Sequence, residues 1–121
     1  MKRLLFIINP CSGKGRIRNK LLSVLDIFAK RGYRVETYVT QEALDARRKA
    51  VTRGRSADLI VCSGGDGTLN EVVSGMMELK RLPVLGYIPA GSTNDYAASL
   101  GLPRRIENAA RLAAEGKASP V

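Results

Sequence analysis

The period of the apolar positions switches several times along the chain. Arg3–Ile8 is an almost unbroken apolar run that Asn9-Pro10 stops, which predicts a buried strand. From Arg16 to about Lys30, Ile17, Leu21, Leu25 and Phe28 recur at helical spacing. Gly32 follows as the C′ residue that closes this helix. Arg34–Val39 reads as a second strand, rich in β-branched and aromatic residues. Gln41–Arg53 predicts a polar helix with Leu44 and Val51 on one face. Asp58–Cys62 is a third strand, Leu69, Val72, Val73 and Met76 mark a third helix, and Val84–Ile88 is a fourth strand. Thr93–Leu100 reads as a short helix. Arg104–Glu115 reads as another, with Ile106, Ala109, Ala110 and Ala113 facing inward.

Short apolar strands alternating with helices predict an α/β domain, a parallel sheet covered by helices on both faces. In such sheets ligands bind beyond the carboxyl ends of the strands. The loops expected there are Asn9–Gly15, Thr40, Ser63–Gly67 and Pro89–Thr93.

Composition narrows the class. Residues 1–121 make one domain, and 45% apolar content without low-complexity tracts is that of a folded chain. Twenty basic against eleven acidic residues leave +9, which attracts nucleotides, nucleic acid or anionic headgroups. The basic residues stand in small groups: Lys2-Arg3, Arg47-Arg48-Lys49, Lys80-Arg81 and Arg104-Arg105. With four Tyr, two Phe and no Trp to stack bases, nucleic acid is not an expected partner. Cys11 and Cys62 have no metal-ligand spacing and no His to help them, which argues against zinc and for a reducing compartment. The apolar run after Met1-Lys2-Arg3 is five residues, shorter than the roughly seven to fifteen of a secretory core. No run approaches the ~18 of a membrane span. Ala118-Ser119-Pro120-Val121 reads as a linker or the start of another strand.

The chemistry concentrates in three loops. The first is Gly64-Gly65-Asp66-Gly67-Thr68-Leu69-Asn70-Glu71-Val72, between a strand and a helix. Glycine permits positive φ and close backbone approach. Thr68-x-x-Glu71 matches a capping box. A helix N-terminus suits phosphate. Asp66 would repel phosphate unless a cation intervened, and lysine or Mg²⁺ is the natural mediator. The second loop is Asn9-Pro10-Cys11-Ser12-Gly13-Lys14-Gly15-Arg16. It is no Walker A sequence, since the first glycine is missing and Gly15 stands in place of Ser/Thr. The third is Pro89-Ala90-Gly91-Ser92-Thr93-Asn94-Asp95-Tyr96-Ala97, where Ser92-x-x-Asp95 can cap a helix. Adjacent loops would bring Lys14, Asp66 and Asp95 to one sheet edge, as a charge network that orients a hydrated Mg²⁺.

These loops resemble the signature of the diacylglycerol kinase catalytic-domain family, particularly its soluble bacterial lipid kinases. Gly-Gly-Asp-Gly-Thr alone is shared with NAD kinases and echoed in phosphofructokinases. The extension Leu69-Asn70-Glu71-Val72 and the Asn94-Asp95 loop favour the lipid kinases. The resemblance implies a Rossmann-like, NAD kinase-like three-layer nucleotide-binding domain. It implies an ATP site lined by Asn9, Pro10, Cys11, Ser12, Gly13, Thr40, Gly65, Asp66, Gly67, Thr68, Leu69, Asn70, Glu71 and Ser92, a position where many members have Thr. Lys14, Asp66 and Asp95 align with the charged network, with Asp66 and Asp95 reaching Mg²⁺ through water. The family's second, β-rich domain, with the general base and much of the lipid site, is absent from this chain, so the isolated fragment is expected to be inactive. ATP and Mg²⁺ are the implied cofactors. The implied partners are a nucleotide, a lipid such as diacylglycerol and an anionic membrane surface met peripherally from the cytoplasm, with a homodimer left open. The alternatives are a NAD kinase-like enzyme and a non-catalytic nucleotide-binding domain.

Overall fold

The computed structural model describes residues 2–10, 16–89 and 106–116. In chain order these form β1 (Lys2–Ile8), α1 (Arg16–Lys30), β2 (Tyr33–Val39), α2 (Asp45–Gly54), β3 (Leu59–Gly64), α3 (Asp66–Met76), β4 (Val84–Pro89) and α4 (Ile106–Ala114). The strands pair in the order β2-β1-β3-β4, every pair parallel. Phe6 lies between Thr37 and Val61 in register.

Alternation along the strands builds two cores. Leu4, Phe6 and Ile8 face one side with Leu59 and Val61, where they meet Ile17, Val24 and Phe28 of α1 and the alanines of α4. Leu5 and Ile7 face the other side with Ile60 and Cys62, against Ala46 and Ala50 of α2 and Leu69, Val72 and Met76 of α3. Each fully buried Val, Leu, Ile or Phe contributes roughly 1.5–3 kcal/mol by leaving water. Phe6 and Phe28 also meet edge to face at 5.4 Å between ring centres. The expected α/β three-layer class is the observed one.

Gly32 ends α1 at φ 85°, and its N–H donates to the Ala29 carbonyl at 3.0 Å. The last helix matches its expectation, with Ile106, Ala109, Ala110 and Ala113 buried. The segment 93–100 lies outside the described residues.

Most element boundaries shift by one or two residues from the sequence reading: β3 runs on through Ser63 and Gly64, which were expected in a loop, and two helix starts bear on the site. The second helix begins at Asp45 rather than Gln41, and Leu44 stands before it in the left-handed region at φ 70°. Leu44 therefore lies outside the helix, 52% exposed, instead of sharing a helix face with Val51, and Ala46 and Ala50 supply the buried face. The third helix begins at Asp66 with Gly65 as its cap residue and no side-chain cap bond. The Thr68–Glu71 capping box is not formed, because Thr68 already lies inside the first turn.

Candidate functional site

From β1 the chain passes to β2 on one side, then crosses to β3 and β4 on the other. The connections above β1 and β3 therefore diverge, and an open parallel sheet binds ligands in the crevice so formed. Asn9 leaves β1 at this point, and Gly64 ends β3 beside it.

Three bonds tie the crevice together. The Asn9 N–H donates to the Ser63 carbonyl at 2.9 Å, and the Thr40 N–H donates to the Ile8 carbonyl at 2.8 Å. The Asn9 side-chain amide donates to the Thr68 hydroxyl at 3.2 Å. Thr68 is buried and pressed against Gly64, where a Cβ would lie 2.6 Å from the Thr68 Oγ1. Gly64 is fixed from beneath as well: the buried Tyr87 hydroxyl donates to its carbonyl at 3.0 Å.

The first bond of α3 runs from the Leu69 N–H to the Gly65 carbonyl, at 3.2 Å. The N–H groups of Asp66, Gly67 and Thr68 precede it, at the positive end of the helix. Neither Gly65 nor Gly67 needs positive φ, contrary to the reason the sequence suggests. A Cβ at either would instead meet nothing within 4 Å, so open space lies beside these amides. The Asp66 Oδ1 is buried and has no hydrogen-bond partner among the described residues, and the Ser63 Oγ shares that condition. A buried carboxylate oxygen left unsatisfied is costly unless a donor or cation arrives.

A depression of about 240 Å³ opens next to this turn, lined by Asn9, Thr40, Gln41, Glu42, Ala43, Ala46, Thr68 and Glu71. It is smaller than the roughly 300–1,000 Å³ pockets that enclose a whole small molecule, so it suits one end of a ligand that extends outward. Its outer wall, residues 40–43, is held by Asp45. The Asp45 Oδ2 accepts from the Gln41 N–H at 2.7 Å, the Tyr38 hydroxyl at 3.1 Å and the Glu42 N–H at 3.2 Å. The Arg48 guanidinium donates to the other oxygen at 3.2 Å. The Gln41 N–H above all holds the Asp45 carboxyl below its ordinary pKa, against the opposing effect of burial. Leu44, between wall and helix, occupies a conformation that costs a non-glycine residue about 1–2 kcal/mol.

Of the residues expected to bind ligand, Asn9, Thr40, Gly65, Asp66, Gly67, Thr68 and Glu71 gather at the crevice or its pocket. Pro10 lines a neighbouring, more apolar hollow with Ile8, Ile17 and Leu21. Asn70 is exposed, while the Leu69 side chain lies in the α2–α3 core. Cys11, Ser12, Gly13, Lys14, Ser92 and Asp95 lie outside the described residues. Asp45, Tyr87 and the wall residues 41–43 went unnoticed in the sequence. Only Asp45 carried a signal, as an acid at a helix start.

Burial pushes the Cys62 thiol up to about 12, which removes it as a nucleophile or thiolate ligand. No group of three or more His, Cys, Asp or Glu clusters as a metal cage among the described residues. The unpartnered Asp66 oxygen fits a different arrangement, one protein contact to a cation otherwise held by water and phosphate.

A family model described as diacylglycerol kinase catalytic domain matches residues 3–121. The diacylglycerol kinase of Bacillus subtilis (strain 168) is 45% identical over 123 residues, spanning 100% of this chain and 41% of the relative. That of Staphylococcus aureus (strain MRSA252) is 38% identical over 99% of this chain and 38% of its own length. A crystal structure of a diacylglycerol kinase from Bacillus anthracis str. Sterne superposes with a TM-score of 0.85 at 32% identity, over 96% of this chain and 43% of that one. The chain thus spans about two-fifths of the length of these relatives.

Proposed function

The chain belongs to the diacylglycerol kinase catalytic domain family, and we propose that it holds ATP for transfer of the γ-phosphoryl group to a lipid hydroxyl such as that of diacylglycerol. The observation that carries this reading is the turn after β3. Open space beside Gly65 and Gly67, helix-end N–H groups and an unpartnered buried Asp66 oxygen meet at the crevice.

Each part has a task. The N–H groups of Asp66, Gly67 and Thr68 donate to phosphate oxygens, where the helix end favours negative charge. The Asn9–Thr68 bond keeps the β1 exit against that turn. The pocket walled by residues 40–43 takes the nucleoside end. Asp66 would hold Mg²⁺, with Asp95 and Lys14 completing the charge network. Mg²⁺ bound there would supply neutralisation of the triphosphate charge. Positioning and electrostatics then carry the transfer, as in other phosphoryl transfers.

A lipid acceptor brings the protein to a membrane surface. No described helix is long and apolar enough to cross one. The +9 balance supports peripheral attraction to anionic headgroups, at about 1 kcal/mol per well-placed basic residue.

The test is phosphorylation of a lipid panel with γ-labelled ATP by the protein as its gene encodes it. Label is expected in the lipid, and Asp66→Asn is expected to abolish it. Label appearing in NAD but in no lipid would overturn the assignment.

A further inference from the structure

We propose that Asp45 is a positioning residue for the nucleotide: its carboxylate fixes the wall that receives the nucleoside end of ATP. The inference rests on the ATP reading above and goes past it, to a residue outside the glycine-rich turn.

The wall has little else to hold its shape. Residues 41–44 are exposed and lie between β2 and α2, with one backbone turn bond, from the Asp45 N–H to the Glu42 carbonyl at 3.3 Å. Thr40 is tied to β1 through its N–H, and Gln41 reaches back to the Val39 carbonyl with its side chain at 3.1 Å. The Gln41 and Glu42 backbone amides both turn inward to the Asp45 Oδ2. Tyr38 delivers a third donor to the same oxygen from the edge strand. The carboxylate therefore links β2, the loop and the first turn of α2 at one atom. It is 8% exposed, and Gln41 and Glu42, whose amides it accepts from, line the pocket.

The neighbours make this arrangement directional. Ala46, next in sequence, lines the pocket floor and packs in the α2–α3 core. Arg48 pairs with the second Asp45 oxygen and also reaches Glu42 at 3.4 Å and the Ala43 carbonyl at 3.2 Å. Arg48 thus clamps the outside of the loop while Asp45 clamps the inside. The left-handed Leu44 lets the chain reverse between the two. Without the carboxylate, the Gln41 and Glu42 amides lose their acceptor, and the outer Arg48 contacts and the backbone bonds of Thr40 and Glu42 are left to hold the loop. The fold beneath it keeps both cores, because neither core contains the carboxylate.

The experiment is steady-state kinetics of Asp45→Ala and Asp45→Asn in the protein as its gene encodes it, with ATP and lipid varied separately. Asp45→Ala is expected to raise the KM for ATP about tenfold while kcat and the lipid KM stay within about twofold. Asp45→Asn keeps one oxygen for the loop amides and is expected to recover part of the loss. A general loss of structure would lower kcat instead and leave the ATP KM in place. An unchanged ATP KM in Asp45→Ala overturns the proposal. Where Asp45→Ala does not fold, the folded Asp45→Asn decides alone: a rise of about threefold in the ATP KM supports the proposal, and parental kinetics overturn it. A parent protein that transfers no phosphate from ATP overturns the functional reading first, and the role of Asp45 with it.

Discussion

Two alanine substitutions three residues apart, Gly64→Ala and Gly67→Ala, are expected to fail in opposite ways. At Gly64 a new Cβ would stand 2.6 Å from the Thr68 Oγ1 and 2.8 Å from the Thr68 Cβ. Thr68 is buried and β-branched, so it has few rotamers into which to retreat. Overpacking of this kind costs about 1–3 kcal/mol. Displacing the Thr68 hydroxyl also breaks its bond from Asn9, worth about 0.5–1.5 kcal/mol. Together these destabilise the protein by about 1.5–4.5 kcal/mol. At Gly67 nothing stands within 4 Å, and the residue is in the first turn of α3. Alanine there gains about 0.5–1 kcal/mol of helix stability over glycine. Its methyl group, however, occupies the space beside the amides assigned to phosphate. ATP affinity is then expected to fall about tenfold or more, a loss of about 1.4 kcal/mol. Urea unfolding and ATP titration on both variants separate the effects. A Gly64→Ala protein as stable as its parent would show that Thr68 does not pack as described. A Gly67→Ala protein with parental ATP affinity would show that this turn does not wrap the phosphates.

Further expectations follow from single features. Leu44→Gly relieves the left-handed leucine and should stabilise the protein by about 1 kcal/mol; a lower urea midpoint would contradict the strain at φ 70°. Cys62, with its thiol pushed up to about 12, should resist thiol reagents at pH 8 in the native protein and react only after unfolding. Asp45, whose pKa lies below its ordinary value chiefly through the Gln41 N–H, contributes stability that is full above about pH 4, its unfolded pKa. That contribution is lost as pH falls through the lower folded value, so unfolding free energy measured from pH 6 to 3 should drop less in Asp45→Asn than in the parent. Tyr38, Glu42 and Arg48 face the same carboxylate, and equal acid slopes in both proteins would exclude Asp45 as the group responsible.

The elements legible in the sequence were those whose packing repeats locally. β1, β3 and α1 carry unbroken or evenly spaced apolar residues, and two buried cores demand that pattern. The failures came where one long-range bond outweighed local preference. Gln41-Glu42-Ala43-Leu44 contains good helix formers, yet Asp45 captures the amides of its first two residues with help from Tyr38 on another element. Thr68-x-x-Glu71 has the spacing of a capping box, yet the Thr68 hydroxyl answers to Asn9, 59 residues earlier. The glycine-rich turn stood out in the sequence as a candidate ligand site. The separate duties of its glycines were not, because Gly64 answers to a neighbouring side chain and Gly65 and Gly67 to empty space. Tyr87 gave no sign of holding the Gly64 carbonyl, since an aromatic residue in a strand is ordinary.

The sheet is unequal across its width. Every position of β3 is buried, whereas β2 at the rim has only half-buried and exposed residues. Mutational drift should therefore accumulate on that rim, where Arg34 and Thr37 can be exchanged at small cost. A fluorophore or tether attached there would report on the molecule without disturbing the floor beneath the proposed nucleotide site.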